Sequence, residues 1–253
     1  MEVLILGGTA EARQLAAALA HRPRLSLTLS LAGRTAEPAP QPVRVRRGGF
    51  GGAEGLANYL RDERIDVLID ATHPYAAVIS ANAAEAARLS GVKLLALRRA
   101  PWQRVAGDTW IEADTIEDAV RAIGAAPLRV FVTLGRKELR PFESAPQHGY
   151  LVRSVDPVDP PLAVPHAQYV VARGPFSEAE DRALLESQRI DVIVAKNSGG
   201  EATYGKIAAA RALGLPVIML KRPALPEVDS VASVGEALAW LDHALTLSTE
   251  RGV

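Results

Sequence analysis

The chain has 253 residues, with 29 basic and 29 acidic side chains, 48% hydrophobic residues and no cysteine. The length suits one large α/β domain or two small ones; the lack of cysteine excludes a disulfide framework, a thiolate metal site and a cysteine nucleophile, and the even charge excludes a bulk surface for nucleic acid. No apolar run reaches the roughly 18 residues of a membrane span, and the N-terminus enters a strand without a basic leader or cleavage site, so a soluble cytoplasmic protein is expected.

The chain begins strand, glycine turn, helix: Val3 to Leu6 is a short β-forming run, and Ala10 to Leu19 carries apolar residues at helical spacing. Gly7 and Gly8 stand side by side, without the spacing of the dinucleotide fingerprint. Gly8, Thr9, Ala10 and Glu11 still allow close backbone approach to a pyrophosphate at a helix start; an ordinary tight turn is the plain alternative. The second strand, about Leu25 to Leu31, runs into LAGRT. An Arg here suits the extra phosphate of NADP, where NAD-preferring folds carry an acid. Arg34 therefore points to NADPH over NADH, unless it is an ordinary surface arginine.

A Pro-rich loop from Glu37 to Pro42 and a short strand near Val43 to Arg46 precede the cluster GGFGG, Gly48 to Gly52. RIDVLIDATHPYAA then reads as a buried strand running into a loop and helix. Thr72 and His73 fall at that strand's carboxyl end, and Pro74 suits the first turn of the next helix. Tyr75 can pack on a cofactor ring or fill a seam between domains, and Thr72 or His73 can equally be a helix cap. VKLLALRRAP closes this unit near Pro101.

The second half echoes the first. RIDVLIDA at Arg64 to Ala71 returns as RIDVIVAK at Arg189 to Lys196; ARLSGVKLLALRRA at Ala87 to Ala100 aligns with ARALGLPVIMLKRP at Ala210 to Pro223; and RVFVTLGRKEL at Arg129 to Leu139 resembles EVLILGGTAEA at Glu2 to Ala12. The expected fold is α/β: two Rossmann-like domains, each a parallel sheet flanked by helices, facing a cleft. The expected boundaries are 1–102 and 103–253, with a C-terminal helix, Val234 to Leu245, able to finish either.

The loop after the second echoed strand, AKNSGGEATYGKIAAA, is polar, glycine-rich and basic at once. Lys196, Asn197, Ser198, Gly199 and Gly200 offer donors without bulk, and Thr203 and Lys206 are expected on one face of the following helix. Arg136, Arg173, Arg99 and Arg222 stand at other strand ends. Each alone can be a solvated charge; together they suit an anionic ligand.

At LILGGTAE, SLAGR, GGFGG, DATHPYA, RAPW, TLGR, ARGPF and KNSGGEATYGKIAAARALGLPVIMLKRPALP the sequence resembles the precorrin-6A reductases of cobalamin biosynthesis, over nearly the whole chain. The resemblance implies NADPH-dependent reduction of precorrin-6A to precorrin-6B, with hydride to ring carbon C19 and a proton to C18. It assigns Gly8, Thr9, Ala10, Glu11, Gly33, Arg34, Thr35 and Gly49 to NADPH, with Thr72, His73, Pro74 and Tyr75 near its nicotinamide end. Arg99, Arg136, Arg173, Lys196, Asn197, Ser198, Gly199, Gly200, Thr203, Lys206 and Arg222 go to the polyanionic tetrapyrrole. His73, a substrate carboxyl group or water is the expected proton source, and GGFGG and Val155 to Pro165 are candidate mobile loops. The partners expected are this tetrapyrrole and transient contacts with neighbouring pathway enzymes; no metal, nucleic acid or membrane is expected. The alternatives are a cobalt-containing precorrin, another polyanionic substrate, or a non-catalytic NADPH-binding redox sensor.

Overall fold

A computed structural model describes residues 1–33 and 40–250, with side chains through residue 246. The chain forms β1 (Glu2–Leu6), α1 (Ala10–Leu19), β2 (Ser26–Leu31), β3 (Arg44–Arg47), α2 (Gly52–Asp62), β4 (Val67–Asp70), α3 (Ala77–Ser90) and β5 (Lys93–Leu97). It continues through β6 (Thr109–Ala113), α4 (Ile116–Ile123), β7 (Arg129–Val132), β8 (Gly149–Ser154), β9 (Ala167–Val171), α5 (Glu178–Ser187) and β10 (Val192–Lys196). It ends with α6 (Gly205–Leu213), β11 (Pro216–Leu220), β12 (Ser230–Val231) and α7 (Val234–Glu250). Among the described residues no helix is long and apolar enough to cross a membrane.

Two six-stranded parallel sheets result, ordered β12-β5-β4-β1-β2-β3 and β6-β11-β10-β7-β8-β9. Each is doubly wound, so both faces must be apolar. On β1, Val3 and Ile5 pack on one face with Leu15, Leu19 and Leu241, while Leu4 and Leu6 pack on the other with Leu56, Leu60 and Leu68. This is the period-two alternation of a strand buried on both sides.

The internal echo has a backbone cause. Arg64 and Arg189 both turn the chain with a φ of 51°. The amide of Asp66 donates to the carbonyl of Glu2, and its Oδ2 accepts from the Glu2 amide at 2.8 Å. Asp191 repeats this arrangement on Arg129, at 2.7 Å for the carboxylate bond. RID therefore recurs because the turn and the aspartate clip set the register of the strand beside the sheet's central one.

The units comprise residues 1–100 with 223–253, and residues 101–222. This corrects the expected 103–253 boundary. After β5 the chain leaves to place β6 on the edge of the second sheet, and after β11 it returns to place β12 beside β5. The sheets thus exchange their outer strands. The C-terminal helix follows β12, and its Ala237 and Leu241 are buried in the first unit's core with α1.

Within the second unit, buried His148 accepts from the Leu128 amide through Nδ1 at 3.2 Å, and its Nε2 lies 3.1 Å from the Gly124 carbonyl. That arrangement suits the neutral ring with its proton on Nε2, and burial lowers its pKa from 6.5. Because the folded value lies below the unfolded one, the stability from this site is complete above the unfolded pKa. It is lost as pH falls toward the depressed folded value. Urea midpoints should drop as pH falls below about 6.5, with a shallower slope in His148→Gln.

Candidate functional site

In the first sheet the winding direction reverses between β1 and β4, the place where doubly wound sheets receive ligands beyond their strand ends. The turn after β1 is built for close approach. A Cβ on Gly7 would lie 2.7 Å from Leu29 Cδ1 and would make that side chain shift, whereas Gly8 has a φ of +117° and open space around it. Thr9 caps α1: its Oγ1 accepts from the Ala12 amide at 3.1 Å and donates to the Ala71 carbonyl at 2.8 Å, tying β1 to β4. The hydroxyl is thus committed to the Ala12 amide and the Ala71 carbonyl, leaving the other first-turn amides to meet a phosphate. Ala12, fully buried, occupies the close helix–strand contact that the third fingerprint glycine usually serves.

Across the switch point, buried Asp70 organises the loop after β4. Its Oδ1 accepts from the Thr72 amide at 3.1 Å and the Thr72 hydroxyl at 2.7 Å, and its Oδ2 accepts from the Ser80 hydroxyl at 2.6 Å. Sequence reasoning missed this residue; the signal was an acid ending an apolar strand, followed at once by Thr. The helix begins later than expected, at Ala77 with Ala76 as its cap, so Pro74 sits in a preceding turn and neither Thr72 nor His73 caps α3. His73 Nδ1 accepts from the Tyr75 amide at 3.3 Å, and the two rings lie 5.6 Å apart.

Arg99, in the first unit just past β5, stands beside this cluster. It donates to Glu11 at 2.6 Å, and a small pocket is lined by both residues with Thr9, Thr72, Pro74 and Leu97. Gly33 has a φ of +72° just past β2; Arg34 and Thr35 lie outside the described residues. Around Gly49, Arg46 donates to the carbonyls of Gly48 and Gly49 at 2.6 and 2.9 Å and stacks 3.7 Å from the Phe50 ring centroid. A Cβ on Gly55 would lie 1.8 Å from the Phe50 carbonyl oxygen. GGFGG, the expected mobile loop, thus makes its contacts through Arg46 and Gly55. The 155–165 segment is tied as well: Arg136 donates to the Pro157 carbonyl at 3.1 Å, and Tyr169 accepts from the Leu162 amide at 2.7 Å.

The second sheet reverses between β7 and β10, placing TLGR and KNSGG side by side. Lys196 Nζ donates to both Glu138 oxygens at 2.5 and 2.6 Å, and Glu138 also accepts from the Gly135 amide at 2.8 Å. Arg136 also reaches Asp156 at 3.4 Å, and Arg173 is exposed at the start of ARGPF. Arg222 donates to the carbonyls of Asn197 and Ser198 at 2.8 and 3.0 Å. Buried Gly199 and partly buried Gly200 have positive φ of 68° and 72°.

Two expectations change here. Thr203 precedes α6 in a turn, and Lys206 folds back, buried, with Nζ donating to the Thr203 carbonyl at 2.6 Å beneath the Trp102 ring. The Asn197 amide is spent on the backbone of Trp102, accepting from its N–H at 2.8 Å and donating to its carbonyl at 3.0 Å. Both side chains shape the loop.

The family described as Precorrin-6x reductase CbiJ/CobK matches residues 2–242. A precorrin-6A reductase from a Sinorhizobium species is 57% identical over 241 residues, covering 95% of this chain and 92% of the relative. A solved structure described as CobK precorrin-6A reductase is 48% identical, covers 96% of each chain and superposes with a TM-score of 0.92. A cobalt-precorrin-6A reductase from Priestia megaterium is more distant, at 28% identity over 98% of this chain and 99% of the relative. With both sheets, their exchanged strands and their carboxyl-end loops inside the matched span, the chain belongs to the precorrin-6x reductase family.

Proposed function

We propose that the chain reduces precorrin-6A to precorrin-6B in cobalamin biosynthesis, with NADPH supplying hydride to C19 and a proton added at C18. The observation that carries this reading is the glycine turn at the first sheet's switch point, joined in a chain of this family to a second sheet whose corresponding loops carry Lys196, Arg136, Arg173 and Arg222. The first-turn amides and Gly8 fit a pyrophosphate, because the backbone is open there and the Thr9 side chain is turned inward. Gly33, Arg34 and Thr35 take the ribose end and its phosphate. Thr72 to Tyr75, set by Asp70, take the nicotinamide end. The tetrapyrrole's acetate and propionate arms go to the second unit's cations. With Nδ1 accepting from Tyr75, a neutral His73 carries its proton on Nε2 and can donate it. The greater identity to precorrin-6A reductases than to the cobalt-precorrin relative supports a metal-free macrocycle.

Arg99 belongs on the cofactor side in this reading. It neutralises Glu11, whose carboxylate in the first turn of α1 would otherwise repel a pyrophosphate. Arg99→Ala should raise the Kd for NADPH about tenfold, a little under the ~1.5–3 kcal/mol of a charge-assisted bond, and leave the macrocycle KM unchanged. Separate titrations of the two ligands check this; a change confined to the macrocycle would return Arg99 to the substrate. The reaction itself is tested by incubating the protein with precorrin-6A and NADPH carrying deuterium at the transferable position. Deuterium at C19 of a reduced product is expected, and an unreduced macrocycle or a label elsewhere would overturn the proposal.

A further inference from the structure

We propose that Trp102 is a positioning residue for the macrocycle, acting as the template on which the KNSGG loop is held. The inference rests on the reading that this loop receives the tetrapyrrole. Trp102 follows immediately after the chain passes from the first unit to the second. Its backbone N–H and carbonyl are both held by the Asn197 side chain, and its indole Nε1 donates to the Gly200 carbonyl at 2.8 Å. The ring packs 5.6 Å from that of Tyr204 and 5.0 Å from Lys206 Nζ, and the residue is only 8% exposed. One residue of the RAPW motif thus meets the loop along its length, through its backbone at Asn197 and through its ring from Gly200 to Lys206.

The loop needs such a template. Gly199 and Gly200 both take left-handed φ, and adjacent glycines leave a chain many conformations to lose. If the loop ordered only on contact with substrate, that entropy would be subtracted from affinity. Trp102 fixes the loop from one side, while Arg222, the last residue before the chain returns to the first unit, holds the Asn197 and Ser198 carbonyls. Lys196 and Ser198 are then presented on a loop already in place. Affinity for the macrocycle should carry the effect, while the cofactor, bound through residues of the first unit, should not feel it.

Trp102→Phe keeps an aromatic ring beside Tyr204 and Lys206 and removes the N–H. Trp110→Phe is the control, because its buried Nε1 has no partner. Trp102→Phe should raise the macrocycle KM about tenfold with kcat within about twofold and an unchanged NADPH Kd, while the control leaves all three values alone. Combined with Asn197→Ala, which releases the same anchor from the loop's side, the two KM effects should be less than additive. If Trp102→Phe fails to fold, Asn197→Ala alone should give the same KM-selective rise. An unchanged macrocycle KM in the folded variant, full additivity, or a parallel loss of kcat and NADPH affinity would overturn the role. A wild-type protein that neither binds nor reduces precorrin-6A would instead overturn the loop's assignment to the macrocycle.

Discussion

Asp70→Ala should lower macrocycle-dependent turnover about a hundredfold while NADPH still binds, the scale expected when a reacting group is displaced by about 1 Å. The reason is local. Asp70 is 4% exposed at the end of β4 and is the common acceptor for the Thr72 amide, the Thr72 hydroxyl and the buried Ser80 hydroxyl. Removing it strands those donors at a cost of roughly 1–3 kcal/mol for each one left unsatisfied. The loop carrying His73 and Tyr75 then loses the side chain that holds Thr72 at its base. Asp70→Asn should recover most of the turnover, since its amide oxygen can still accept from Thr72 and a hydroxyl at Ser80 can rotate to accept from its NH2. Equal loss in Asp70→Asn and Asp70→Ala would mean that the negative charge, and not the loop's placement, is what matters. His73→Ala should also keep NADPH affinity and lose turnover; unchanged turnover would remove His73 as the proton donor.

The second large effect is on stability. Asp181→Ala should cost about 3–5 kcal/mol, a large share of the ~5–15 kcal/mol that holds most folded proteins together. Arg153 and Asp181 form an ion pair that is buried on both sides. The guanidinium also lies 3.7 Å from the Phe176 ring centroid and 5.0 Å from that of Phe131. Without its carboxylate, Arg153 would be a buried charge in an aromatic setting. Thermal unfolding should shift down by roughly 10 °C at about 2–4 °C per kcal/mol for a chain of this size. The paired change Arg153→Met with Asp181→Leu should recover most of that loss, because replacing both members avoids the unpaired charge. A single Asp181→Ala variant with an unchanged midpoint would show that the pair contributes nothing net. Phe176 opens toward the KNSGG region, its amide donating to the Ala202 carbonyl at 3.1 Å, so the destabilised variant should also weaken macrocycle binding.

Much of the fold was legible because its causes are local. The strand–turn–helix opening, the RID repeat and the matched LLALRR and VIMLKR strands each encode one step of a doubly wound sheet, and the echoed segments occupy corresponding positions in the two sheets. The exchange of β6 and β12 was not legible, since periodicity marks a strand without naming its neighbour. β12 is only two residues long, too short for any pattern. In the candidate site, Gly7, Gly8, Thr9 and Lys196 fall at the switch points where their motifs pointed. The bonds by which Asn197 and Lys206 shape the loop were not legible, because composition marks polar residues beside glycines without naming what they hold. Their partner, Trp102, lies about a hundred residues earlier, and sequence separation hides such a contact. Asp70 was missed for the opposite reason: an acid at the end of VLID looks like a strand terminus until Thr72 and Ser80 fold back onto it.

The most direct measurement is NADPH oxidation by the purified protein with and without precorrin-6A, with NADH as the control cofactor. Oxidation that requires the macrocycle and prefers NADPH is the expected result. NADPH that binds tightly but is not consumed in the presence of precorrin-6A would contradict the reductase reading, leaving only the first unit's nucleotide assignment standing.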